Sequence, residues 1–154
     1  MNTTRVTLPN DVMLGSVRDL LSEGHPVVIM TKGLSMLPFI EGKRDSVLLE
    51  KRQEVAPGDI VLAEIRPGHY VLHRVRSVEG EKVTLQGDGN YRGQEHCRTG
   101  NVAGTVTVIQ RDGRPDRDPF SSREMRRWRL WVRLPALVRR YYLAFYRRIK
   151  NITI

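Results

Sequence analysis

The ten residues His69-Tyr70-Val71-Leu72-His73-Arg74-Val75-Arg76-Ser77-Val78 decide how the rest of the chain is read. Branched and aromatic residues dominate the stretch, Gly68 precedes it, and Val78-Glu79-Gly80-Glu81-Lys82 follows as a hairpin turn. As a strand it sets Val71, His73 and Val75 on one face and Leu72 and Arg74 on the other, because successive side chains alternate. One face is then apolar with a histidine in it.

Segments of the same kind lie on either side: residues 26–32 (PVVIMTK), 45–51 (DSVLLEK), 58–65 (GDIVLAEI), 81–88 (EKVTLQGD) and 104–113 (GTVTVIQRDG), each bounded by Gly, Pro or Asp. Six short strands with turns between them predict a mainly β body, its sheets curled around one core. Ahead of them, Val12, Val17, Leu20 and Leu21 recur at helical spacing; Asn10 or Asp11 stands at the cap and Gly24 at the stop, which predicts a short N-terminal helix. Residues 111–119 (RDGRPDRDP) read as a linker, so the expected division is a body over 1–119 and a tail over 120–154.

The 154 residues carry a formal net charge of +9. Residues 1–120 hold 16 Lys/Arg and 16 Asp/Glu, whereas residues 121–154 hold 10 Lys/Arg and a single acid, Glu124. The excess is therefore confined to the tail, which also contains both tryptophans. Its helical spacing is interrupted at Pro135, with Ser122 as the expected first cap and Trp131, Leu134, Val138, Tyr141 and Phe145 on one stripe. A cationic amphipathic tail suits an anionic membrane surface; packing on the body or on a second copy is the plain alternative. Nucleic acid ranks last. With one cysteine, Cys97, no intramolecular disulfide forms, no run of about 18 apolar residues spans a bilayer, and no secretory leader pattern opens the chain. The expected location is cytoplasmic, peripheral to a membrane where the tail engages one. Oligomeric state is left open.

Three short pieces carry the chemistry: Gly33-Leu34-Ser35-Met36-Leu37-Pro38, the histidine at position 73, and Gln86-Gly87-Asp88-Gly89-Asn90. A serine hydroxyl attacks at neutral pH only when a base takes its proton, and histidine is the common base. A carboxylate on the other ring nitrogen fixes the useful tautomer. A partly buried imidazole favours its neutral form, which suits that role. For each residue taken alone the plain reading is a turn serine, a packed histidine and an Asp-Gly turn.

Together with GDIVLAEI and GTVTVI, in this order from about Val28 to Ile109, these pieces resemble the signal peptidase and LexA-like serine peptidase superfamily, in the branch that uses histidine as the base. The resemblance implies a β-rich peptidase fold that needs no metal or organic cofactor. It implies Ser35 as nucleophile, His73 as base, and Gly33, Leu34, Met36 and Pro38 around the bound peptide or protein substrate. Asp88 is favoured as the acid that orients His73 because its motif matches, and Glu95 is the alternative. Gly33 stands where signal peptidases commonly carry a hydroxyl residue. An accessory module that binds peptide without turnover, and a self-processing protein, are the other functions this fold allows. Ala103-Gly104 resembles the bond that LexA-like proteins cut in themselves, although it lies in an expected strand, where a glycine permits close approach. A zinc site from His69, His73, His96 and Cys97 is disfavoured, since four residues of strand hold the first two roughly 13 Å apart.

Overall fold

The computed structural model describes residues 3–6, 10–90 and 92–150. The expected leader reading at residues 1, 2 and 7–9, and the last four residues of the tail, lie outside them. Helix α1 (Asp11–Ser22) begins where the Asn10 side chain accepts a hydrogen bond from the Met13 N–H at 3.0 Å, closing a first-turn donor. Its Leu14, Val17 and Leu21 turn inward at helical spacing. All six expected strands form: β2 (Val27–Met30), β3 (Asp45–Glu50), β4 (Ile60–Arg66), β5 (His69–Glu79), β6 (Lys82–Gln86) and β8 (Val102–Arg111). Two more, β1 (Thr4–Val6) and β7 (Glu95–Arg98), are too short to show a pattern in the sequence.

The eight strands make one sheet in the order β1-β2-β3-β8-β4-β5-β6-β7, with β1 parallel to β2 and every other pair antiparallel. Register shifts interrupt the pairings of β3 with β8, β4 with β8, β4 with β5, and β5 with β6. Such irregularities bend and twist a sheet. The bending is enough for β7 to come back against β4, three strands away in the order. Strand β4 consequently buries both faces. Ile60 and Leu62 join α1 in a first core cluster, while Val61 and Ala63 join Val75, Val83 and Leu85 in a second. The mainly β expectation holds in part: among the described residues the N-terminal helix and the two tail helices, all expected, accompany the sheet and contribute a comparable share, so the fold mixes α and β.

Two of those helices are the tail, α2 (Ser122–Arg133) and α3 (Ala136–Lys150). The cap of α2 is Ser121, not Ser122, its side chain accepting from the Glu124 N–H. Pro135 divides the helices at Leu134, and the single stripe expected from Trp131 to Phe145 does not survive that break. Trp131 turns to the body with Trp128 and Leu143, against Leu37 and Phe39, whereas Leu134, Val138, Tyr141 and Phe145 stay exposed. Each buried indole removes on the order of 200 Å² from water, about 5 kcal/mol of transfer free energy. The tail is therefore anchored on the body by one face. Among the described residues no helix is long and apolar enough to cross a membrane.

Candidate active site

Ser35 stands exposed in the turn that follows β2, on the rim of a cavity of about 250 Å³. Ile29 and Met30 from β2, Met36 from the turn, and Tyr70 and His73 from β5 line the same space. The turn is held by its own backbone: the Leu37 N–H bonds to Leu34 O at 3.2 Å, and the Phe39 and Ile40 N–H groups both bond to Met36 O at 3.0 Å. None of these bonds uses the Ser35 amide.

The loop after β6 closes over this turn. Gly89 N–H donates to Ser35 O at 2.8 Å. A Cβ on Gly87 would collide with that same carbonyl oxygen, and one on Gly89 would come within 2.7 Å of Leu34 O. The two glycines around Asp88 are thus demanded by backbone lying directly on backbone. The hypothetical Gly87 Cβ also lies 3.2 Å from His73 Nε2, which brings this ring nitrogen and the Ser35 backbone to the same glycine.

His73 is buried on β5, between Val71 and Val75 of the second core cluster. Its Nδ1 lies 3.0 Å from Glu95 Oε2. Glu95 opens β7 and pairs with Leu85 of β6, which pairs with Val75 of β5, so the β5-β6-β7 ladder sets this carboxylate on the same face of the sheet as the imidazole. An acid on Nδ1 sets the proton there and leaves Nε2 as the acceptor facing the serine turn.

Asp88, favoured from its motif, does not contact the imidazole and is held by Arg74 instead; Glu95, the alternative, is the carboxylate at His73 Nδ1. Arg74 donates to both Asp88 oxygens, from Nη2 at 2.7 Å and Nε at 3.2 Å, and its Nη1 donates to Gly58 O at 3.1 Å. Burial pushes the Asp88 carboxyl up from its ordinary value, with the charge of Arg74 and its hydrogen bonds opposing. The guanidinium lies 5.3 Å from the ring centroids of both Phe39 and Trp128, and Trp131 Nε1 donates to Asp88 O at 2.8 Å. Through Asp88 the tail thus reaches the loop that touches Ser35.

Of the residues expected around a substrate, Gly33 and Met36 line the cavity, Leu34 faces a second groove shared with α3, and Pro38 lines neither. The sequence reading missed Met30, Thr31 and Tyr70, which belong to the cavity because β2 and β5 flank it. The four residues weighed as zinc ligands do not converge: His69 faces Asp11 at 3.7 Å, His96 faces Thr84 Oγ1 at 3.2 Å, and burial pushes the Cys97 thiol up, away from its ligating form. Among the described residues no group of three His, Cys, Asp or Glu side chains is placed to hold a metal ion. Ala103 and Gly104 are buried inside β8, where Leu62 pairs with Gly104 and a Cβ on Gly104 would meet Leu21 Cδ1 at 2.8 Å.

No protein-family model matches the chain, and neither does any curated protein.

Proposed function

We propose that this protein is a serine endopeptidase in which Ser35 attacks, His73 moves the proton and Glu95 holds the imidazole. The observation that carries the reading is the 3.0 Å contact from Glu95 to His73 Nδ1, with Nε2 turned to the glycine that lies on Ser35. In the first step the Ser35 Oγ proton passes to His73 Nε2 as Oγ bonds to the substrate carbonyl carbon. The amide of Ser35, free of the turn's own bonds, is a donor for the oxyanion that forms. The imidazolium then returns its proton to the departing amine as the C–N bond breaks, and water hydrolyses the ester by the same route. Glu95 stays ionised and stabilises the charged ring.

The mainly apolar cavity beside Ser35 suits an extended, unstructured peptide with a modest apolar side chain. Cleavage in trans is favoured over self-processing, since Ala103-Gly104 is held between β3 and β4 and the sheet would have to open before Ser35 reached it. The resemblance to the signal peptidase and LexA-like superfamily supports the same reading. The test is a mixture of unstructured peptides incubated with the protein and sequenced for new termini. Wild-type protein is expected to cut and Ser35→Ala to leave the mixture intact; equal cleavage by the two removes the proposal, and binding without cleavage by either makes the chain a peptide-binding module.

A further inference from the structure

The tail leaves one face uncovered. On α3, Leu137, Val138, Tyr141, Tyr142, Phe145 and Ile149 are all exposed, Tyr141 at 67% and Phe145 at 65%. At about 100° per residue these six fall within an arc of about 140°, opposite Leu143 and Tyr146, which pack on the body. Three exposed arginines cluster at one side of it: Arg148 falls just inside the Leu137 edge of the arc, and Arg140 and Arg147 lie about 60° and about 80° beyond that edge. On α2 the residues turned from the body are Arg123, Arg126 and Arg133, with Leu130 exposed at 58% among them. An apolar helix face beside a dense arginine border is the composition of a helix lying in a membrane interface.

We propose that α2 and α3 dock the protein on an anionic bilayer surface, the outward face of α3 entering the headgroup boundary and the arginines meeting lipid phosphates. Charge decides between the occupants. A second copy joined by a two-fold axis would bring the same arginine border against itself, and like charges at that spacing repel. Nucleic acid would need the cations at the centre of the contact, where the α3 face instead presents leucine, valine and phenylalanine. Anionic lipid satisfies both parts, apolar at the middle and phosphate at the edge.

The docked orientation has a consequence for the serine turn. A groove of about 560 Å³ runs from Gly33 and Leu34 to Tyr146, Arg147 and Lys150 at the end of α3. Leu34, next to Ser35, is exposed at its mouth. Seating the outward face of α3 on lipid therefore leaves the Ser35 turn on the far side of that helix, about one helix diameter, on the order of 10 Å, from the bilayer surface. The docking itself does not depend on the peptidase reading.

The experiment is flotation of the full chain with vesicles of phosphatidylcholine alone and of phosphatidylcholine mixed with phosphatidylglycerol. Wild-type protein is expected to float with the anionic vesicles, weakly with the neutral ones, and less as salt is added. Tyr141→Glu combined with Phe145→Glu is expected to lower the affinity at least about tenfold while the melting temperature holds, both side chains being exposed. Ser35→Ala is expected to bind vesicles as wild type does, which keeps this outcome separate from loss of cleavage. Failure to float with anionic vesicles at low salt overturns the proposal, as does equal flotation by the double variant. A dimer in solution that the double variant dissociates, with no vesicle binding, overturns it in favour of a second copy.

Discussion

Replacing Glu95 by Gln keeps the shape of the side chain against His73 and removes its charge. In the step that builds the imidazolium, the wild-type ring and carboxylate stand with their nearest atoms 3.0 Å apart, the histidine side chain 8% exposed and the glutamate 24%. Taking about 4 Å between charge centres and an effective dielectric near 20, the attraction lost is about 4 kcal/mol. At 1.36 kcal/mol per decade this is about a thousandfold in rate. The rate of covalent labelling of Ser35 by a fluorophosphonate reads that step without knowledge of the natural substrate. Glu95→Gln is expected to label about a thousand times more slowly while its melting temperature stays near wild type, since the contact is at the edge of the core. Asp88→Asn is the contrasting variant. It breaks the buried pair with Arg74 and is expected to cost about 3–5 kcal/mol of stability. Labelling of Glu95→Gln within a few-fold of wild type would refute the assignment of Glu95, and so would Asp88→Asn losing labelling with its stability unchanged.

Gly87→Ala drives a methyl group into Ser35 O and is expected to cost about 1–3 kcal/mol and slow labelling, read by thermal unfolding and by the probe together. Trp131→Phe removes the donor to Asp88 O and some packing; a loss of about 1–3 kcal/mol is expected in urea unfolding. Asp45 is fully buried: burial acts to raise its carboxyl, but hydrogen bonds from Arg44, the Glu41 amide and Arg111 prevail and hold it below its ordinary value of 3.8. Its contribution is thus complete above that value and is lost as pH falls through the lower folded one. Wild-type stability is expected to fall on acidification through this window, and Asp45→Asn, less stable at neutral pH, to show a shallower dependence there; parallel curves would contradict it.

Much of the body was legible because its strands are rich in branched residues and separated by turn residues, and α1 because its cap and stop both stand in the sequence. β1 and β7 were not, being three and four residues long. The choice between Asp88 and Glu95 could not be read locally. Asp88 sits in the recognisable motif, but Arg74, which takes its carboxylate, reads in the sequence only as the residue next to His73. Glu95 reaches the imidazole through the pairing of β7 on β6, and a strand as short as β7 leaves no pattern in the sequence from which that register could be read. The tail misled in one respect: helical spacing drawn across Pro135 joined Trp131 to Tyr141 and Phe145, when the break sends the indole to the body and the other two to solvent.

Peptide mapping by mass spectrometry of the fluorophosphonate adduct tests the Ser35, His73 and Glu95 arrangement most directly. A single adduct on Ser35 in the wild-type protein, absent from His73→Ala, is expected. An adduct on another serine, or one on Ser35 that forms equally fast without the histidine, would contradict the account.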